Sequence, residues 1–448
     1  MRSQQKSLHA FNIYTIKKHG NRKMLDAPTN QLLTQVGPGT PMGALLRRYW
    51  HPIAAVDELE REPVKAVRLM GEDLVLYKSL EGRLGLVGRK CRHRGADLLH
   101  GIVERDGLRC HYHGWLYDES GACVQQPFEE VADPKAATRN RPCLPAYPVE
   151  TAGGMIWAYL GPADKRPLLP DWEPFSWRNG FVQLVFAEVP CNWFQCQENS
   201  IDPVHFEWAH SNWTIRQKGA HLPYGPRHLK LDFEEFEYGF VYKRLREDTT
   251  ESHPLWTVGR VCLWPNAFFL GDHFEWRVPV DDENTLSVTW AFTRVPKECE
   301  PYEQKAIPSW HGPTHENGRW ITSHVMNQDF AAWAGQGRIA DRTCENLRLS
   351  DRGIALLRKR FLAELERAKD GAALKGLIHD SARNRRVELP VAMRKLLVEG
   401  LPRREMEKHP VLGRLLEGYV FQAGQPPHVR RAFLAATGTR RARKARSA

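Results

Sequence analysis

Residues 91–95 read C-R-H-R-G, and residues 110–115 read C-H-Y-H-G-W. Cys91 and His93 form a Cys-x-His pair, and Cys110 and His113 form a Cys-x2-His pair sixteen residues further on. Glycine follows each pair closely, at Gly95 and Gly114. Two thiols and two imidazoles in this order are a metal-ligand set, and two kinds of centre use it. Structural zinc takes Cys2His2, but its usual spacing joins Cys to Cys and His to His. Here each short loop carries one of each.

Mixed pairs of this kind match a Rieske [2Fe–2S] cluster, in which two cysteines hold one iron and two histidines the other. The neutral imidazoles raise the potential from about −400 mV to roughly −150 mV or higher. A chain with this cluster accepts electrons singly from a stronger reductant. Gly95 and Gly114 suit tight turns that bring backbone N–H groups towards the cluster sulfurs. The neighbouring His100 and His111 are not needed as ligands and read as ordinary, partly exposed histidines.

A second constellation lies downstream. Residues 198–210 read E-N-S-I-D-P-V-H-F-E-W-A-H. Asp202 is a good helix N-cap and Pro203 suits the first helical position. His210 lies five residues after His205, about 140° round an ideal α-helix. Both imidazoles reach one metal only if the helix bulges between them, and such bulges are frequent at functional sites. Residues 322–337 read T-S-H-V-M-N-Q-D-F-A-A-W-A-G-Q-G. Val325, Met326, Asp329, Ala332 and Trp333 share one apolar helical face. Asp329 is then a carboxylate in a buried stripe and needs a partner. That partner is either a metal ion or a cation such as Arg338 or Arg342. With a metal, His205, His210 and Asp329 make a two-His, one-carboxylate triad that leaves positions on Fe(II) open for O2 and substrate.

The order C-x-H-x16-C-x2-H, D-x2-H-x4-H and a distant Asp resembles the α (oxygenase) component of Rieske non-haem iron aromatic-ring oxygenases, over roughly residues 24–400. Residues 30–52, N-Q-L-L-T-Q-V-G-P-G-T-P-M-G-A-L-L-R-R-Y-W-H-P, and 327–343, N-Q-D-F-A-A-W-A-G-Q-G-R-I-A-D-R-T, resemble the phthalate-dioxygenase-like branch. The middle region, with F-E-E-F-E-Y-G and W-R-V-P-V-D-D-E-N-T, is similar to its 5,5'-dehydrodivanillate O-demethylase-like members. The resemblance implies a [2Fe–2S] cluster on Cys91, His93, Cys110 and His113, and a mononuclear Fe(II) on His205, His210 and Asp329. It implies that Asp202 bridges a cluster histidine of one subunit and an iron-binding histidine of the next, through His113, Asp202 and His205. Asn199 matches a polar residue near the iron. A head-to-tail homo-oligomer is implied, a trimer or a dimer of trimers.

Composition is consistent with this. At 448 residues and 42% hydrophobic, the chain is long enough for two or three domains with a real core. No run of 18 apolar residues occurs, so no membrane span is expected, and the basic N-terminus lacks the apolar stretch of a secretory signal. The net charge of +11 raises the question of nucleic acid. Its location answers it: residues 1–23 hold six Lys or Arg and no acid, and residues 440–446 hold five. Without those ends, basic and acidic residues balance, so no nucleic-acid partner is expected and the ends read as disordered tails. Nine cysteines read as two cluster ligands and free thiols in a reducing cytoplasm. The family-like sequence begins near Met24, so residues 1–23 are an extension or a start-site misassignment.

The fold class expected is α+β: an N-terminal antiparallel-β Rieske domain and a C-terminal helix-grip domain, an antiparallel sheet with helices. The expected boundaries are a basic extension 1–23, the Rieske domain with its entry helix 24–163, the catalytic domain 164–400 and a C-terminal segment 401–448. K-A-V-R-L-M and D-L-V-L-Y-K read as hairpin strands, and the Pro-rich 161–172 reads as a linker. Longer strands are expected near 181–190, 229–247, 258–270 and 274–295, with helices at 199–212, 318–335 and 350–369. The last carries the stripe Ile354, Leu357, Phe361 and Leu365, with Ser350 as N-cap and Gly371 as stop. The glycine-rich 37–43 lacks a G-K-[ST] ending and reads as a turn, and no nicotinamide-binding fingerprint is present. Reducing equivalents therefore come from another protein, an NAD(P)H-dependent reductase of flavin or ferredoxin type.

The activity expected is O2-dependent hydroxylation of a small aromatic, carboxylated compound. O-demethylation of a methoxy-aromatic or biaryl is favoured, with loss of formaldehyde. Ring cis-dihydroxylation of phthalate or phenoxybenzoate type is the alternative, and an electron carrier without oxygenase activity is the rival from another class. Arg216, Lys218, Arg227, Arg246 and Arg260 are candidates for gripping a substrate carboxylate. Trp193, Phe194, Trp208 and Trp213 are candidates for pocket lining, with core packing as the competing role.

Overall fold

Two short helices begin the computed structural model, which describes residues 25–133, 135, 142–219, 221–409, 413 and 421–438. Both basic ends and Met24 lie outside the described residues. Asp26 caps Ala27–Thr34 by accepting from the Thr29 N–H at 2.9 Å. Thr40 caps Pro41–Leu46 through Gly43. The stretch 37–43, expected as a turn, is therefore a turn only to Thr40. Pro41 fixes φ for the helix that follows.

Three antiparallel sheets follow between Trp50 and Tyr159. Val64–Leu69 and Glu72–Lys78 pair as the expected hairpin and extend to Leu84–Gly88 and Ala146–Tyr147. Four short strands, Ile102–Val103, Leu108–Arg109, Leu116–Tyr117 and Cys123–Gln125, form the sheet next to the two Cys/His loops. A small core of Val75, Tyr77, Val87, Leu98, Leu108 and Tyr117 packs directly under Cys91 and Cys110.

The C-terminal part is built on an eight-stranded sheet. Its order is His228–Phe236, Gly239–Arg246, Arg260–Leu263, Ala267–Phe269, His273–Pro279, Thr285–Arg294, Gly180–Val189 and Ser309–His311. All neighbours are antiparallel except the last pair. Each of the three longer strand regions expected after residue 228 is thus a hairpin. Among the described residues, no helix is long and apolar enough to cross a membrane.

Helix boundaries differ from expectation in three places. The helix expected at 318–335 is Val325–Ala334, because Asn317 and Gly318 adopt positive φ and close a hairpin between His315–Glu316 and Arg319–Trp320. The helix expected at 350–369 is Arg352–Lys369. A tighter turn, Leu349–Asp351, precedes it, so Asp351 and not Ser350 stands at the N-cap. Gly371, at φ 69°, follows its end. The helix expected at 199–212 is two pieces, described below.

The Pro-rich 161–172 is packed rather than free. The Trp50 indole donates to the Pro167 carbonyl, Leu168 N–H donates to Ile378 O, and Trp172 is buried. One hydrophobic cluster runs from Leu33 through Trp157 and Trp276 to Trp290 and Phe361, crossing the boundary expected at 163. Past residue 400, Pro427–Ala436 seats Phe433 on Phe181, with ring centroids 5.5 Å apart. All nine cysteines are free.

Candidate metal centres

The two Cys/His loops are near copies of each other. Cys91 N–H donates to Ala96 O and Gly95 N–H to Cys91 O. Cys110 N–H donates to Trp115 O and Gly114 N–H to Cys110 O. Gly95 and Gly114 have φ of 72° and 75°, a conformation that side chains disfavour. Both thiols are buried, whereas the imidazoles reach outward, with His113 exposed. The two rings lie 4.4 Å apart, and His93 stacks on Trp115 at 4.7 Å. His93 Nδ1 is buried without a hydrogen-bond partner. Two inward thiols, two adjacent imidazoles and an orphaned ring nitrogen fit a cluster with two sulfur and two nitrogen ligands. Tyr117 Oη lies 3.3 Å from Cys91 Sγ, a polar neighbour of the kind that tunes such a centre. His100 and His111 are exposed and lie edge to face with each other, ring centroids 6.0 Å apart.

The second site depends on a break in the helix. Trp193–Asn199 is α-helical, the chain turns at 200–204, and Phe206–Asn212 is a π-helix that runs into Trp213–Lys218. A π-helix bonds residue i to i+5, which is the spacing of His205 and His210. The bulge required by the sequence spacing is therefore present. Asp202 Oδ1 accepts from Val204 N–H at 2.8 Å, but in the turn ahead of the helix: the π-helix has His205 at its N-cap, so Asp202 is not the cap expected and Pro203 is not its first residue. Burial pushes the Asp202 carboxyl up to about 6. Among the described residues, no hydrogen bond or ion pair joins Asp202 to His113.

Asp329 arrives from Val325–Ala334. Its Oδ1 lies 3.4 Å from His210 Nε2 and 3.8 Å from His205 Nε2. One ligand atom from each of the three residues falls within a 4.8 Å group. Asn199 Nδ2 donates to the same oxygen at 3.3 Å. The alternative ion pairs are not made: Arg342 binds Glu198 and Arg338 donates to Asn284. His205 Nδ1 and His210 Nε2 are buried without hydrogen-bond partners. Two imidazoles, each with one unpartnered ring nitrogen, beside a carboxylate that no Lys or Arg pairs with fit a divalent cation.

Two partners escaped the sequence reading. Gln328 Nε2 donates to Thr214 Oγ1 and to Thr322 O, so its Oε1 faces His210 Nδ1 at 3.0 Å. The proton then sits on Nδ1 and Nε2 is left for the metal. Only its position beside Asp329 hinted at this. Glu207 accepts from both His228 N–H and His228 Nδ1, at 2.7 and 2.8 Å, and ties the π-helix to the sheet. Nothing in the sequence signalled that long-range pair. Gln328→Leu is expected to weaken mononuclear iron binding by about 10–100-fold, read as iron retained after dialysis against a graded chelator.

Of the candidate substrate cations, Arg227 pairs with Glu247 and Arg246 with Asp248, while Arg216 covers Tyr224 and Lys218 is exposed. Arg260 Nε and Nη1 and Arg246 Nε are buried without hydrogen-bond partners, and of these two arginines only Arg246 has an acid partner among the described residues. Trp193 and Phe194 pack on Phe361 in the core, and Trp208 and Trp213 are exposed.

A family model described as the Rieske [2Fe-2S] domain matches residues 49–148. Over 407 residues the chain is 57% identical to the 5,5'-dehydrodivanillate O-demethylase oxygenase subunit of Sphingobium sp., covering 91% of this chain and 95% of that protein. It is 31% identical to the phthalate 4,5-dioxygenase oxygenase subunit of Pseudomonas putida, over 79% of this chain and 89% of that one. The solved structure of NdmA from Pseudomonas putida CBB5 with caffeine shares the fold, at TM-score 0.53 and 22% identity over 77% of this chain and 99% of that chain. The chain belongs to the Rieske non-haem iron oxygenases, as an α (oxygenase) subunit. Such subunits are oxidoreductases with a [2Fe–2S] cluster and a mononuclear iron, they oligomerise, and they draw electrons from a separate reductase or ferredoxin.

Proposed function

We propose that this chain is the oxygenase component of an O-demethylase that acts on a methoxy-substituted aromatic carboxylate, including biaryls. The 57% identity to the dehydrodivanillate O-demethylase subunit, extending over nearly all of both chains, carries this reading. In it Cys91, His93, Cys110 and His113 hold the cluster, and His205, His210 and Asp329 hold the iron. The two centres supply single electrons and activated O2. The residues around them do the positioning. Gln328 sets the His210 tautomer, Asn199 orients the Asp329 carboxylate, and the π-helix holds both imidazoles on one side. Which substrate carbon lies nearest the iron decides between demethylation and ring hydroxylation.

The partners proposed are an NAD(P)H-dependent reductase and further copies of this chain in a trimer or dimer of trimers. Asp202 then stands between His205 and the partner subunit's His113. Asp202→Asn is expected to keep both metal centres and slow reoxidation of the reduced cluster by at least about tenfold, since one charged hydrogen bond contributes about 1.5–3 kcal/mol. Rapid mixing of reduced enzyme with substrate and O2 reads this directly, and an unchanged rate removes the bridge.

The function is tested with iron-loaded protein, a surrogate reductase, NADH and O2. Methoxylated benzoates and biaryl acids are offered, and formaldehyde is measured against NADH oxidised. Matched formaldehyde establishes the demethylase. A diol without formaldehyde moves the chain to the ring dioxygenases, and no O2 uptake with any substrate leaves an electron carrier.

A further inference from the structure

We infer that Arg244 and Arg260 form a fork beside the iron-ligand helix that grips the carboxylate of the aromatic substrate. This rests on the reading of the chain as an oxygenase of aromatic acids and adds the residues that select them.

The sheet register brings the two arginines together. Tyr242 pairs directly with Arg260 across adjacent strands, and Arg244 lies two residues beyond Tyr242. With a side-chain period of two, all three project from one face. That face meets Phe206: the Arg244 and Arg260 guanidinium carbons lie 4.8 and 4.7 Å from its ring centre. Phe206 in turn lies 4.3 Å from the His205 ring and 5.3 Å from the His210 ring. One phenyl group therefore separates the guanidiniums from the iron ligands.

The arginines are not satisfied where they stand. Arg244 is 6% exposed. Nε and Nη1 of both Arg244 and Arg260 are buried without hydrogen-bond partners. Arg277 also leaves Nε and Nη1 without partners, but it and the other buried arginines, Arg342 and Arg358, have an acid beside them. Arg277 pairs with Glu275, and Arg342 and Arg358 pair with Glu198. Among the described residues, no carboxylate forms an ion pair with Arg244 or Arg260. Burial and the neighbouring Arg260 push the Arg244 guanidinium down to about 9. A buried guanidinium beside a half-buried one, with no anion, is costly, and an anion between them removes that cost.

The shape of the surroundings favours an aryl acid over an inorganic anion. Phe268 stacks with Tyr242 at 6.1 Å and lies 6.5 Å from Phe206, which gives the site aromatic walls. Guanidinium forks match the planar, bidentate carboxylate. An acid held at this fork sits one phenyl ring away from His205 and His210.

The test uses the full-length holoenzyme and measures binding by calorimetry with 3-methoxybenzoate, its methyl ester and benzoate. Wild type is expected to bind both acids and to discriminate against the ester. Arg260→Gln and Arg244→Met are expected to weaken acid binding about 100-fold while ester binding stays within about twofold. Arg244→Lys, which keeps a charge but not the fork, is expected to fall between. Cluster absorbance and iron content report folding. Arg244→Met should melt no lower than wild type, because it removes an uncompensated cation; a structural arginine would melt lower. Equal affinity of wild type for acid and ester, no binding of either acid, or parallel loss of acid and ester in the variants overturns the fork. The formaldehyde assay separates this from the function. Acid-selective binding that both variants lose, without formaldehyde from wild type, keeps the fork and discards demethylation. Formaldehyde with no acid selectivity does the reverse.

Discussion

Asp329→Ala is expected to release the mononuclear iron, leave the visible spectrum of the cluster unchanged and stop product formation. The three proposed ligands come from two segments, and the helix Val325–Ala334 supplies only Asp329. Without it, His205 and His210 remain as two neutral ligands on one π-turn. Removing an outer hydrogen-bond partner of a metal ligand costs about 10–100-fold in affinity, and removing the one anionic ligand is expected to exceed the upper figure. The cluster loops stand on a separate small core under Cys91 and Cys110, so their absorbance is an internal control for folding. The measurement is iron per chain after dialysis, alongside product formed with a surrogate reductase.

A structural role for Asp329 makes the opposite forecast. If it were an ion-pair partner, its loss would strand a buried cation and lower stability. Arg342 and Arg338 are engaged elsewhere, however, and the groups closest to the carboxylate are two imidazoles and the Asn199 amide. The metal-free variant is therefore expected to melt no lower than metal-free wild type, because a buried charge without a cation has been removed. Full iron retention with full activity would refute the ligand assignment.

The cluster loops were legible because their information is local. Cys91–Gly95 and Cys110–Gly114 carry ligand type, spacing and turn glycines within a few residues each. The candidate iron site was legible in part: the five-residue spacing of His205 and His210 demanded a bulge, and a π-helix supplies it. Where the preceding helix begins was not readable. The sequence placed it at 199, whereas Asn192 caps a helix starting at Trp193 by accepting from Phe194 N–H. Arg244 was missed for a physical reason. It lies in K-R-L-R-E-D, a charge run that reads as solvated surface. The pleat sorts that run: Lys243 projects to Glu234 on the neighbouring strand, while Arg244 turns inward onto Phe206. Gln328 and the Glu207–His228 clamp depend on tertiary contacts that no local pattern encodes.

Glu198→Ala is expected to destabilise the fold by about 3–5 kcal/mol from a position in the helix that leads to the candidate iron site. Glu198 precedes Asn199 and is 6% exposed. Its carboxylate takes Arg342 Nη2 at 2.6 Å and Arg358 Nε at 2.6 Å, and both arginines are almost fully buried. Arg358 also binds Glu345, but among the described residues Arg342 pairs with no acid besides Glu198. Truncation leaves that guanidinium buried with only the Asn30 and Ala340 oxygens as acceptors. Burial raises the Glu198 carboxyl, but Arg342 and Arg358 more than offset it and hold it below the usual range. A carboxyl lowered in the folded state contributes stability that is present above its unfolded value, about 4.3, and lost as pH falls through the folded one. Denaturant midpoints of wild type and variant should therefore differ most at neutral pH and converge in acid. A gap that persists unchanged well below pH 4 would mean that lost packing, and not the ion pairs, accounts for the effect. Because Asn199 follows Glu198 directly and donates to Asp329, the same variant is expected to bind mononuclear iron more weakly while its cluster stays intact. Arg358 thus ties Arg352–Lys369 to Glu198, the neighbour of the Asn199 that donates to the proposed ligand Asp329.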